Sequence, residues 1–237
     1  MKEYDIISIG AHPDDVEVGT GGIIIKLTEK NYRAGIIYLT AGEMGTGGEA
    51  EERSREAEDA ARLMGADLLK TYDWGDTSLA DSYDKRLALA RDIRDYKPSV
   101  ILCPAPWKGH GRRQSHSDHV ACGEISINAA NLASLKKVPI EGVPYQVNRI
   151  FYYFLPPGMN PDFVVDISDE FDKWLEALKC HKSQFLNPEK SRDYIWALES
   201  LVRHYGMLAG VKYGQGFKSD QTLLVNNIMD LAKGHRF

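Results

Sequence analysis

Two short clusters carry most of the residues in this chain that could do chemistry. The first is Ala11-His12-Pro13-Asp14-Asp15, and the second is His116-Ser117-Asp118-His119. Together they offer three imidazoles and three carboxylates. Two protein nitrogens and one carboxylate oxygen, with a fourth position left to water, is the ligand pattern of catalytic zinc. Asp14 and Asp15 are adjacent, so in an extended turn they point different ways. One can hold a metal while the other faces a substrate or water. A free carboxylate beside a metal can take the proton of a water molecule, and a second imidazole can donate to an oxyanion or a leaving amine. Imidazole suits zinc, iron or nickel, whereas magnesium prefers more oxygen ligands. The chemistry indicated is metal-assisted hydrolysis.

Two elements must bring these clusters together. The first cluster follows the apolar run Ile6-Ile7-Ser8-Ile9-Gly10, which reads as a buried strand, and the second lies beyond Val100-Ile101-Leu102-Cys103, which reads as another. Between and after them the chain alternates. Residues 16–30 have helical apolar spacing in their latter part, 32–40 read as strand two, 50–64 as a helix, and 67–72 as strand three. Residues 83–96 form an amphipathic pattern stopped by Lys97-Pro98, 99–103 form strand four, and 117–133 form a helix. Residues 148–155 read as strand five and 163–167 as a further strand. Ser168 is placed to cap a helix reaching 184, and another helix spans 193–208. The glycine-rich 213–217 reads as a turn over the cleft.

This alternation predicts an α/β fold: a Rossmann-like, mostly parallel sheet with helices on both faces. It forms a single domain over residues 1–237, with the last third as a C-terminal α/β extension. In the strand order 3-2-1-4-5, strands one and four are neighbours at the switch point, where such sheets bind ligands. The two clusters then meet across one crevice.

Composition narrows the partners. The chain has 237 residues, 43% hydrophobic and 27% charged, with a formal net charge of −5 and no basic stripe, which argues against nucleic acid. No apolar run has the length to span a membrane, and no charged-then-apolar leader opens the chain, so the expectation is a cytoplasmic protein. Cys103, Cys122 and Cys180 are too few and too scattered for a disulfide framework and read as small buried hydrophobes. Cys122, three residues after His119, is the one that could approach the cluster.

Other polar features are weaker. Gly19, Gly21 and Gly22 make a GxGG, which reads as close packing of a helix on the sheet rather than a phosphate loop. Arg53 lies near a helix N-terminus, where the dipole disfavours a cation, so it is either aimed at a substrate or simply on the surface. Trp74-Gly75-Asp76 is a loop that could border the cleft. His110, Arg112 and Arg113 lie in a polar loop leading to the second cluster.

The two clusters resemble the motifs of the PIG-L/LmbE-like zinc deacetylases, which remove the acetyl group from N-acetylglucosamine units. The resemblance extends to Thr40-Ala41-Gly42-Glu43, the Arg53 helix, Lys182-Ser183-Gln184-Phe185 and the stretch from Gly210 to Phe217. The family usually has Pro where Ser117 stands and Glu where Gln215 stands. The resemblance implies zinc on His12, Asp15 and His119, with Fe2+, Ni2+ or Co2+ as other ions such ligands accept. It implies Asp14 as general base, His116 as the group that polarises the carbonyl or protonates the amine, and Asp118 as its orienter. Arg53 would contact the sugar, and Tyr194 matches an aromatic that gates the site in some relatives. Several relatives are hexamers, which implies a homo-oligomer.

For substrate, the stretch Pro161 to Ser168 and the C-terminal stretch are similar to deacetylases acting on N-acetylglucosaminyl-malate in bacillithiol synthesis. Met44-Gly45-Thr46, Pro106-Trp107 and residues 211–214 are similar to diacetylchitobiose deacetylases. The expectation leans to the malate conjugate. The alternatives are a chitooligosaccharide, a related thiol-conjugate amidase, or a non-catalytic sugar- or nucleotide-binding module.

Overall fold

The computed structural model describes residues 3–107, 116–187 and 193–231. Five parallel strands form the central sheet: β1 (Ile6–Gly10), β2 (Ala34–Tyr38), β3 (Asp67–Thr71), β4 (Val100–Pro104) and β5 (Arg149–Tyr153). Their order is β3-β2-β1-β4-β5, as the alternation predicted. β1 and β2 are buried at every position because helices cover both faces. Side chains still alternate between the two covers. Ile7, Ile9, Ile37 and Ile101 pack with Leu89 of α3 (Tyr83–Tyr96) and Ile125 of α4 (Ser117–Ser134). Ile6, Ile36 and Leu102 pack on the other side, with α1 (Asp15–Thr28), α2 (Ala50–Met64) and Trp174 of α5 (Phe171–Cys180).

The GxGG of α1 is a packing device. A Cβ on Gly19 would lie 2.2 Å from the ring of Tyr153, and one on Gly22 would lie 2.8 Å from Ile167. The glycines let α1 settle against β5 and the C-terminal part of the chain, and no phosphate loop is needed to explain them.

The C-terminal extension holds two corrections. Residues 213–217 do not form a turn: Gly214–Phe217 is a buried strand (β7), antiparallel to β6 (Phe163–Asp166). This ribbon joins the main sheet's edge through reciprocal backbone bonds between Tyr152 and Lys218. Nor does Ser168 cap a helix. Its hydroxyl bonds Asp166 Oδ1 at 2.6 Å, and the chain from 171 to 185 is broken at His181 into α5 and the single turn α6 (Lys182–Phe185). The last helix, α7 (Tyr194–Ala209), ends at Gly210 in a left-handed cap. No helix of the described chain is long and apolar enough to cross a membrane.

Candidate active site

β1 and β4 are hydrogen-bonded neighbours, and each delivers one cluster to the same sheet edge. The turn after β1 is knotted by one carboxylate. Asp15 Oδ2 accepts the backbone N–H groups of Ala11 and His12, both at 2.9 Å. That leaves Oδ1 facing His119 Nε2 at 3.0 Å, while His12 Nδ1 stands 3.4 Å from Oδ2. His12, Asp15 and His119 thus offer ligand atoms within 4.8 Å of one another.

A second group, His12, His116 and Asp118, meets the same distance limit. Its donors are already engaged. Asp118 Oδ2 accepts the Thr77 N–H at 2.7 Å, and His116 Nδ1 accepts the Asp118 N–H at 3.3 Å as the N-cap of α4. The donor set His12, Asp15 and His119 therefore fits a divalent metal better, and its two imidazoles and one carboxylate match a three-ligand site with an open position. Cys122 belongs to neither group and is fully buried in the core, as a small hydrophobe would be.

Two further carboxylates stand behind His12. Its Nε2 lies 3.1 Å from Asp76 Oδ1 and 3.3 Å from Asp118 Oδ2. Outer carboxylates of this kind fix a ligand imidazole's tautomer and orientation. Asp76 was only a cleft-bordering residue on sequence grounds. Here it is buried and braced: its N–H donates to Glu43 Oε1 at 2.6 Å, and its Oδ2 accepts the Met44 N–H at 3.0 Å. The glycine-rich loop after β2 thereby contributes by holding Asp76. Asp118 is also placed differently from expectation. Its carboxylate serves His12 and the Thr77 backbone and lies 4.0 Å from His116 Nδ1; its backbone N–H, not its carboxylate, orients that ring.

Charge explains the rest. Burial alone would push the His12 imidazolium down. Hydrogen bonding to Asp15 and the charges of Asp15, Asp76 and Asp14 reverse this and hold it up at about 9. Burial works against the Asp15 carboxylate too, yet His119 and His12 hold it well below the usual range. The cluster keeps a positive charge among its acids, and a metal would displace that proton on binding. His116 is pushed down by burial and by the neighbouring His12 and His119. With Nδ1 accepting a backbone N–H, the ring carries its proton on Nε2, and the side chain is 45% exposed. It is a neutral donor facing outward.

Asp14 differs from the other carboxylates of the cluster. Its backbone lies at φ 126°, ψ −26°, a region that non-glycine residues rarely adopt. It occupies the N-cap of α1 yet accepts no capping hydrogen bond, so the helix forgoes a stabilisation of about 1 kcal/mol. Instead Oδ2 faces Arg53 Nη2 at 3.4 Å. Burial, and then Asp15, push its carboxyl up to about 6 against the pull of Arg53.

Arg53 is only 4% exposed. Nη1 donates to Gly42 O at 2.7 Å and Nη2 to Pro13 O at 2.8 Å, so the contacts it makes here are to the protein rather than to an open sugar site. Tyr194 opens α7 at 40% exposure, and none of the cluster's contacts above involves it. Gln215 spends its amide on α1: Oε1 accepts the Ile23 N–H at 3.0 Å, and Nε2 donates to Val18 O at 3.4 Å. A glutamate could not make the second bond. His110, Arg112 and Arg113 lie outside the described residues.

The family model described as GlcNAc-PI de-N-acetylase (PIG-L) matches residues 7–130, a span holding both clusters, Arg53 and Asp76. The chain belongs to the PIG-L family. It is 31% identical over 227 residues to the diacetylchitobiose deacetylase of Thermococcus kodakarensis, covering 90% of this chain and 82% of that one. It is 29% identical to a probable N-acetyl-alpha-D-glucosaminyl L-malate deacetylase 2 of Bacillus cereus, covering 77% and 84%. Among solved structures, a conserved protein of Thermus thermophilus superposes with a TM-score of 0.83 at 35% identity, covering 94% of this chain and 98% of that one. As a PIG-L protein the chain is an enzyme, a metal-dependent N-deacetylase, and its single α/β domain is the family's fold.

Proposed function

We propose that this PIG-L enzyme hydrolyses the acetamide of a small N-acetylglucosaminide, with zinc on His12, Asp15 and His119. The observation that carries the proposal is the closeness to that ligand set of a strained, uncapped Asp14, whose charge acts on His12, and of His116, whose ring stands 5.0 Å from that of His12 and 5.4 Å from that of His119. When bound, the metal polarises the amide carbonyl and acidifies a water molecule. Asp14 receives the proton of the attacking water. His116 donates a hydrogen bond from Nε2 to the oxygen that gains charge, and the proton taken up by Asp14 passes on to the departing nitrogen. Asp76 and Asp118 hold His12 in register, and Arg53 holds the Asp14 turn. Tyr194, the first residue of α7, is assigned a gating role from the resemblance to relatives alone.

For the aglycone, the geometry favours a neutral second sugar over malate. The cluster is rich in acids, and the guanidinium that touches it among the described residues, Arg53, is spent on two carbonyls and Asp14. A malate dianion would call on Arg112 and Arg113. The greater identity to a diacetylchitobiose deacetylase supports the same order. Assembly into a homo-oligomer is supported by apolar side chains left exposed along α7 and the C-terminal stretch, Trp196, Met207, Leu224 and Ile228 among them.

Amine release from N,N′-diacetylchitobiose, N-acetylglucosaminyl-malate and N-acetylglucosamine tests the reading, with a chelated control. Chelator-sensitive release from the disaccharide is expected. In Asp14→Asn, metal content should persist while turnover falls by about 10²-fold or more, the scale of general base catalysis. Near-parental turnover would remove Asp14 from its assigned role.

A further inference from the structure

The ligand cluster has two unlike flanks. Toward β2 and β3 it meets Asp76, Asp118 and Glu43, all polar. Toward β5 and β7, His119 borders a cavity of about 300 Å3 walled by Tyr153, Phe154, Leu201, Val202 and Tyr205. Two of the lining residues turn their polar side-chain atoms into the fold. Tyr153 donates its hydroxyl to Ile9 O at 2.7 Å, and the Gln215 amide is bonded to α1 at both ends. The aromatic nearest the ligand cluster is held there at a cost. Phe154 lies at φ 55°, left-handed space that an aromatic residue enters rarely, and its ring packs on the His119 imidazole at 4.8 Å. Backbone strain of this kind gathers where a ligand must be met.

A sugar is poorly matched to such walls, because each buried hydroxyl without a partner is penalised. A hydrocarbon group loses nothing there. We propose that the cavity is an acyl subsite: with the sugar outside it, it takes the acyl group of the scissile amide and admits linear chains longer than acetyl, from propionyl to hexanoyl. The inference rests on the deacetylase reading above. The reaction is unchanged in its balance. Water adds its oxygen to the acyl carbon, the C–N bond breaks, and the products are a carboxylic acid and a free amine that has taken the proton.

The test uses glucosamine N-acylated with acetyl, propionyl, butyryl and hexanoyl chains. Turnover is measured with the metal-loaded enzyme, and binding is measured by calorimetry with metal-loaded Asp14→Asn. Binding should tighten about fourfold per added methylene over the first steps, the factor equivalent to about 0.8 kcal/mol for each buried methylene. Leu201, 40% exposed and so replaceable without opening the core, sets the chain length. Leu201→Trp should shift the optimum to shorter chains and Leu201→Ala to longer ones. Acetyl cleavage with binding that is flat or weaker for longer chains would overturn the acyl subsite and leave the deacetylase standing. Tightening on an apolar aryl aglycone instead of a longer acyl chain would also overturn it. Failure to cleave any amide would remove the deacetylase reading and this inference with it.

Discussion

Arg53 separates two accounts of the site. A sugar-binding arginine should be expendable for folding, whereas a strut should not. The structure gives it two short hydrogen bonds, to Gly42 O and Pro13 O, and a longer one to Asp14. Lysine keeps the charge but is a point donor without the planar fork, so Arg53→Lys gives up at least one of the short bonds. A hydrogen bond to a charged group is worth about 1.5–3 kcal/mol. At about 2–4 °C per kcal/mol for a domain of this size, Arg53→Lys should melt roughly 3–12 °C lower. Arg53→Ala strips a buried charge from its partners and should lose about 3–5 kcal/mol. Differential scanning calorimetry measures both, with steady-state kinetics on the same samples. The strut account expects kcat to fall with KM little changed, because the Asp14 turn loosens while the sugar's own contacts stay. A raised KM at an unchanged melting temperature in Arg53→Lys would refute the reasoning and return Arg53 to the substrate.

Three other outcomes follow from particular contacts. Asp76→Ala removes a carboxylate from His12 Nε2 and should weaken metal affinity by about 10–100-fold, read by competition with a chromogenic chelator. His181, fully buried, would be pushed down by burial, but Glu17 beside it, with Asp14 and Glu56, raises it above the ordinary imidazole value. Its charge therefore stabilises the fold fully below pH of about 6.5 and ceases to do so as pH climbs through the higher folded value. The melting advantage of the parent over His181→Gln should then shrink between pH 6 and pH 9; a constant or growing gap would count against it. Gly19→Ala drives a methyl to 2.2 Å from Tyr153 and should lose about 1–3 kcal/mol by overpacking, measured by urea unfolding.

Periodicity made the sheet legible. Runs of Ile and Val bounded by turns admit few readings, and the switch-point rule brought the cluster from His12 to Asp15 and the cluster from His116 to His119 together, while the choice of His12, Asp15 and His119 among them came from the family resemblance. Asp76 escaped because its three-residue loop has no periodic or paired signal; its role arises only when β3 lies beside β2 and Glu43 reaches across. Residues 213–217 misled because glycine usually marks a turn. Here Gly214 and Gly216 are small for another reason: a Cβ on the first would lie 2.4 Å from Val164, and one on the second 3.0 Å from Tyr205. Arg53 looked aimed outward because a cation opposes the dipole at a helix start. Two loop carbonyls and a carboxylate from distant segments outweigh that dipole, and sequence spacing shows none of them.

The backbone at Asp14 sets fold and chemistry against each other. At φ 126° glycine would sit without strain, and the side chain that does occupy the position declines its helix-capping bond. The backbone and the forgone cap both argue for a different amino acid, and the long contact to Arg53 is what speaks for aspartate in the fold. A lineage that kept the protein as a scaffold and no longer needed turnover would be free to place glycine here and gain stability. Glycine at this position in a related chain would mark an enzyme that has retired, even with its metal ligands intact.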